Sequence, residues 1–195
     1  MDRPDDSCAS DPDRRTIIRG MIGAGAGLSL APALALAQGD QTSARPKEGD
    51  LLVKVDDATR TPLTAVDVPI GAGPIQVWAM EPVEKVVRSG SRLNRVLLVR
   101  IDPGTMGSVT LRFAADGVVA YTAICTHEGC DIGGWIAAEQ LLYCECHESK
   151  FDPRDAARVV DGPAPRSLPA LPLKVADGLL VVARPFTARV GGEIV

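Results

Sequence analysis

Both histidines of the chain lie inside short cysteine-rich clusters. The first cluster is Cys125-Thr126-His127-Glu128-Gly129-Cys130, and the second is Cys144-Glu145-Cys146-His147-Glu148-Ser149. Thiolate is a soft donor suited to zinc and to iron–sulfur clusters, and neutral imidazole suits zinc and iron. Cys125 and His127 stand two positions apart and Cys144 and His147 three, so each segment can present one sulfur and one nitrogen to a shared centre. Two thiolates and two imidazoles fit two kinds of centre. One is a tetrahedral structural zinc site. The other is an iron–sulfur cluster with two cysteines on one iron and two histidines on the other, which carries one electron. Cys130 and Cys146 are left over, one in each cluster. A disulfide between them would tie the two segments together, adding about 3 kcal/mol at most in the chain-entropy view. Such a bond persists in oxidising compartments and is rare in the cytosol.

The elements that must position these donors read as β-strands. Aromatic residues are scarce at 4%, whereas Gly (19) and Pro (15) are plentiful among 195 residues, a mixture that suits a turn-rich β domain. Short apolar runs separated by turn residues predict strands over Leu51–Val55, Gln76–Ala79, Val96–Ile101, Val118–Ile124 and Leu141–Tyr143. Asp116-Gly117 is a turn ahead of Val118–Ile124, which runs straight into the first cluster. Leu171–Val175 and Leu179–Ala183 flank Asp177-Gly178, a hairpin signal. Thirteen residues separate Cys130 from Cys144, room for a turn and a strand, so the two cluster loops can lie side by side. No long segment shows a 3.6-residue period, and there is no internal repeat.

The first 37 residues read as a targeting segment. Asp13-Arg14-Arg15-Thr16-Ile17-Ile18-Arg19 pairs two arginines ahead of an apolar stretch, Gly20 to Ala37, that closes on Ala35-Leu36-Ala37. This is the pattern of a twin-arginine export signal. Its length approaches a bilayer span, so retention as an anchor is the competing reading; Gly, Ala and Pro32 make it a poor helix in lipid. Export of folded cargo suits a protein whose metal centre is loaded before transport. Cys8 falls in this leader and is expected to have no role. Residues 38–50 are polar and read as a flexible linker ahead of a domain over 51–195. The net charge of −4 points away from nucleic-acid binding.

The two clusters are similar to the two boxes of the Rieske [2Fe–2S] family, most closely its disulfide-bearing branch. That branch includes the iron–sulfur subunits of cytochrome bc-type quinol oxidases and the small subunits of arsenite-oxidase-like enzymes. The resemblance covers about Leu93 to Phe186 and includes Gly162-Pro163-Ala164-Pro165, which resembles the proline loop that covers the cluster in that branch. It implies an all-β fold, a Rieske-type antiparallel β sandwich with an inserted cluster-binding subdomain over about 123–165. Carried over by position, Cys125 and Cys144 bind one iron of a single [2Fe–2S] cluster, and His127 and His147 bind the other. Cys130 and Cys146 then form the disulfide. The implied function is one-electron transfer as a subunit of a respiratory, quinol-oxidising complex, not catalytic alone. Its partners would be cytochrome b- and c-type subunits and quinol. The alternative within the class is an electron relay of a periplasmic molybdenum oxidoreductase. Both readings place the protein in the periplasm, tethered to the membrane if the leader is kept.

Two positions depart from the family pattern. Glu148 stands where Gly often follows the second histidine, and Phe151 stands where a Tyr usually donates a hydrogen bond to a ligand sulfur. Ser149 is kept, and its hydroxyl is expected to donate to the cluster. Hydrogen bonds to sulfur raise the potential, so the donor lost at Phe151 predicts a lowered one, and the carboxylate gained at Glu148 predicts the same. Trp78, Trp135, Tyr121 and Tyr143 are expected to pack, and Arg154 and Arg158 to form a solvated face. A Rieske-type oxygenase needs a further two-histidine iron site, and both histidines are already used.

Overall fold

The computed structural model describes residues 41–192. The leader over 1–37 therefore lies outside the described residues. Among the described residues, ten strands form two antiparallel sheets. They are β1 (Leu51–Lys54), β2 (Ile75–Met80), β3 (Val96–Arg100), β4 (Val118–Thr122), β5 (Gly134–Ile136), β6 (Leu141–Cys144), β7 (Ser149–Asp152), β8 (Arg158–Asp161), β9 (Leu173–Ala176) and β10 (Leu179–Val182). The larger sheet has the order β4-β3-β2-β1-β10-β9, and the smaller β5-β6-β7-β8. The smaller sheet is thus an excursion between β4 and β9, as the all-β reading with an inserted subdomain expects.

The larger sheet curls until its edges meet. The chain just before β9 returns to β4, where Leu171 N donates to Ala120 O (2.9 Å) and Thr122 N to Pro169 O (3.0 Å). Strand residues alternate between faces, and that alternation sorts the apolar residues into two cores. Leu52, Val77, Val96, Leu98, Val118, Ala120, Leu171, Leu180 and Val182 fill the inside of the curled sheet. Leu97, Val99, Val119 and Tyr121, on the opposite face of β3 and β4, pack with Ile132, Leu142 and Phe151 of the excursion. Strands covered on both faces read as continuous apolar runs, which is why Val96–Val99 and Val118–Tyr121 are unbroken. Tyr121 is fully buried and its hydroxyl donates to Pro153 O (2.9 Å), which pins the excursion to β4.

The turns follow their chemistry. Asp116-Gly117 and Asp177-Gly178 both have positive φ at each residue (49° and 80°, 51° and 78°), the backbone that a two-residue hairpin turn requires. β5, β7 and β8 have no counterpart in the sequence reading. Residues 41–50, read from sequence as the end of a linker, lie against the domain. Arg45 Nη1 donates to Leu93 O (2.8 Å), and Pro46 is buried. Arg88 holds Asp50 by two hydrogen bonds (2.5 and 2.9 Å), with side chains only 3% and 1% exposed. The carboxylate beside it raises the Arg88 pKa further. Among the described residues no helix is long and apolar enough to cross a membrane.

Candidate metal centre

Each cluster occupies a loop closed by the strands around it. The first loop leaves β4 and is bracketed by Cys125 N to Cys130 O (2.8 Å) and Ile132 N to Ala123 O (2.7 Å). Gly129 turns it at φ +77°. The loop is held from outside as well: Arg92 Nη1 donates to Gly129 O (2.7 Å), and Arg92 and Arg95 both reach Asp131. The second loop is the four-residue turn between β6 and β7, where Cys144 pairs with Ser149 across the ladder. It closes through Glu148 at φ +60°, a left-handed conformation that favours glycine. The structure thereby gives a backbone reason for the Gly often found there in the resembled family.

The donors converge in two pairs, each built from one residue of each loop. Cys125 and Cys144 are free thiols, each 1% exposed, and they interact with one another. Burial pushes the Cys125 thiol up to about 11, opposed by hydrogen bonds from the His127 backbone and the Ser149 side chain. His127 and His147 lie outward of them and turn the same nitrogen toward a common point: Nδ1 to Nδ1 is 3.2 Å, with the rings edge to face (88°). Imidazole nitrogens so opposed suit a shared acceptor of their lone pairs, such as iron. Buried sulfurs on one side and outer nitrogens on the other fit the unequal shell of a two-iron cluster.

Cys130 and Cys146 are joined by a disulfide between the loops, Cα to Cα 6.5 Å. Its sulfurs lie within 4.8 Å of Cys144 Sγ, but a disulfide sulfur carries no thiolate charge to offer a metal. Glu128 shares a group with the two histidines, yet its carboxylate meets the other edge of His147, Nε2 (3.7 Å). It therefore lies off the point that the two Nδ1 atoms share.

The proline loop covers the second loop and locks onto the first. Gly162, at φ +86°, lies so close that a Cβ there would sit 2.5 Å from Ser149 Cα. Ala164 N donates to Ser149 Oγ (3.2 Å), and Thr126 Oγ1 donates to Arg166 O (2.6 Å). Ser149 is fully buried, and having accepted from Ala164 its hydroxyl keeps a proton for the Cys125 sulfur. Phe151 is fully buried in the same core as both thiols. Thr126 and Arg166 escaped the sequence reading, since a Thr inside a loop and an Arg after Pro165 carry no local mark of this contact. Trp135 packs on the core, Tyr143 flanks Gly134, and Trp78 stacks with Arg95 (5.5 Å). Arg154 and Arg158 are paired with Asp152 and Asp155 at 2.8 Å.

Residues 86–172 match the family described as the Rieske [2Fe-2S] domain. The chain is 33% identical over 147 residues to a cytochrome bc1 complex Rieske iron-sulfur subunit of Streptomyces lividans, covering 74% of this chain and 85% of that protein. It is 33% identical over 147 residues to the corresponding subunit of Streptomyces coelicolor, covering 74% of this chain and 41% of that one. It is 38% identical over 106 residues to a protein of Haloferax mediterranei named as a respiratory nitrate reductase Rieske subunit, covering 53% of this chain and 47% of that protein. The chain thus spans most of the first relative and less than half of the other two.

Proposed function

Because the chain belongs to the Rieske [2Fe–2S] family, we propose that it is the one-electron-transfer subunit of a respiratory, quinol-oxidising complex. Cys125 and Cys144 hold one iron of its cluster, and His127 and His147 the other. The observation that carries this reading is the pairing of the donors: two buried thiols from separate loops, and two imidazoles from the same loops with Nδ1 atoms 3.2 Å apart. When bound, the cluster supplies a reversible one-electron couple.

The residues of the chain divide the remaining work. Cys125 and Cys144 bury the sulfur end in the core, away from water. His147 is 43% exposed, so its outer edge is where a partner reaches the centre. Its Nε2 can hydrogen-bond a partner's hydroxyl, and a quinol offers one. The Cys130–Cys146 bond, Ser149 and the proline loop hold the two loops in fixed register, which keeps reorganisation small when charge arrives. Ser149 supplies a donor to sulfur; Phe151 supplies none.

The leader over 1–37 completes the reading as a twin-arginine export signal. Export supports the disulfide, which an oxidising compartment preserves, and places the domain in the periplasm, free or tethered by a retained leader. The names of the Streptomyces relatives support a bc1-type setting. The Haloferax relative supports a second reading, a relay subunit of a periplasmic molybdenum oxidoreductase, in which no quinol meets the histidines.

The two settings part in one assay. The holo-protein, reconstituted with its membrane partner, is mixed with quinol and its visible spectrum followed. Fast bleaching by quinol supports quinol oxidation. No bleaching with quinol, but bleaching through a molybdenum subunit and its substrate, supports the relay.

A further inference from the structure

The chain beyond β10 crosses back over the first cluster loop. Thr187 N donates to Ala170 O (2.9 Å), and Phe186 packs on the curled-sheet core. Val190 and Gly191 are then buried, with Gly191 at φ +95° beside Leu93 and Ile124. Gly192 lies directly on the backbone of His127: a Cβ at 192 would overlap the His127 carbonyl oxygen and stand 3.2 Å from Glu128 Cα. Arg166 fastens this strap, since its Nη2 donates to Gly191 O (2.6 Å) while its own carbonyl accepts from Thr126 Oγ1. The residue just after the proline loop thus ties the C-terminal strap to the residue preceding His127. Arg189 Nη2 closes the strap on Gly192 O (2.8 Å). The strap lies beyond residues 86–172, the part that matches the family.

We propose that Val190–Gly192 is a clamp that positions His127 through its backbone, with Gly192 the residue that permits the close approach and Arg166 the residue that fastens it. The inference rests on His127 being an iron ligand, as proposed above, but the contact itself does not. His127 has no buried hydrogen bond of its own to fix its ring among the described residues; its only ring partner is His147. Its place is therefore set by the main chain on which the strap presses. A methyl group at 192 must push either the strap or the loop away, because the atom it meets is backbone and cannot rotate aside.

The test uses the full-length holo-protein with Gly192→Ala and Arg166→Met, and Gly178→Ala as control. Gly178 sits in an open hairpin with nothing near its Cβ position, so that variant perturbs the fold without touching the loop. Two readouts are taken: hydrogen exchange of the amides over 126–130, and the electron-spin coupling to histidine nitrogen in the reduced cluster. The clamp predicts exchange faster by about tenfold, the size of a ~1.4 kcal/mol loss of local stability, and an altered coupling for one histidine, in both strap variants but not in Gly178→Ala. Wild-type exchange and coupling in Gly192→Ala would overturn it. Faster exchange in a protein that holds no iron–sulfur cluster would keep the clamp and refute the ligand assignment instead.

Discussion

Phe151 is fully buried in the core that also holds both cysteine thiols. The Ser149 side chain donates a hydrogen bond to the Cys125 sulfur. A hydrogen bond to sulfur favours the reduced, more negative cluster. Phe151→Tyr should raise the reduction potential by about 60 mV, a tenfold change for a one-electron couple; a titration showing no rise would refute the role given to this position. Glu148 is a second residue-scale departure, and here the structure adds what the sequence did not contain. Its φ of +60° costs a non-glycine residue about 1 kcal/mol. Glu148→Gly should therefore raise the melting temperature by a few degrees, measured by calorimetry on the holo-protein. The two clusters stood out in the sequence because Cys and His at short spacing have few other uses. Their arrangement as two cross-loop pairs came from the family resemblance and not from spacing alone, since it depends on which strand ends meet.

At the scale of elements, the site is two turns stapled by a bond. The Cys130–Cys146 disulfide closes a span of 16 residues, which the chain-entropy view values at about 3 kcal/mol. Cys130→Ser with Cys146→Ser should lose roughly that much stability in denaturant titrations and release iron faster to a chelator, with the cluster's colour retained at the outset. Colour absent from the start would mean that the bond is needed to build the centre, not merely to hold it. β1, β2, β3, β4, β6 and the β9–β10 hairpin were readable within a residue or two from apolar runs and Asp-Gly turns. β5, β7 and β8 were not. Gly134–Ile136 has three residues, Ser149–Asp152 is largely polar and Arg158–Asp161 half polar; β7 is held by ladder bonds to β6 and β8 by ladder bonds to β7, rather than by apolar alternation. Residues 41–50 lack apolar periodicity for a related reason: they are attached by polar contacts such as Arg45 to Leu93 and the doubly bonded pair of Asp50 and Arg88.

Over the whole molecule, β3 and β4 are the shared wall between a closed base and a cluster-bearing cap. Leu97 faces the cap and Leu98 the base, and both are fully buried. Replacing either by Ala should cost about 2–5 kcal/mol. The consequences should differ: Leu97→Ala loosens the packing under Cys125 and Cys144 and speeds iron loss, whereas Leu98→Ala lowers global stability with the iron-loss rate below the melting transition unchanged. Equal rates in the two variants would show that the cores are not separable. The central claim is that two irons are held unequally, one by Cys125 and Cys144 and the other by His127 and His147. The Mössbauer spectrum of the purified, iron-enriched, oxidised full-length protein tests it most directly. Two doublets of equal area, one typical of thiolate and one shifted by imidazole ligation, with the second lost in His127→Ala and His147→Ala, are predicted. A single doublet, or colourless protein carrying zinc in place of iron, would contradict the account.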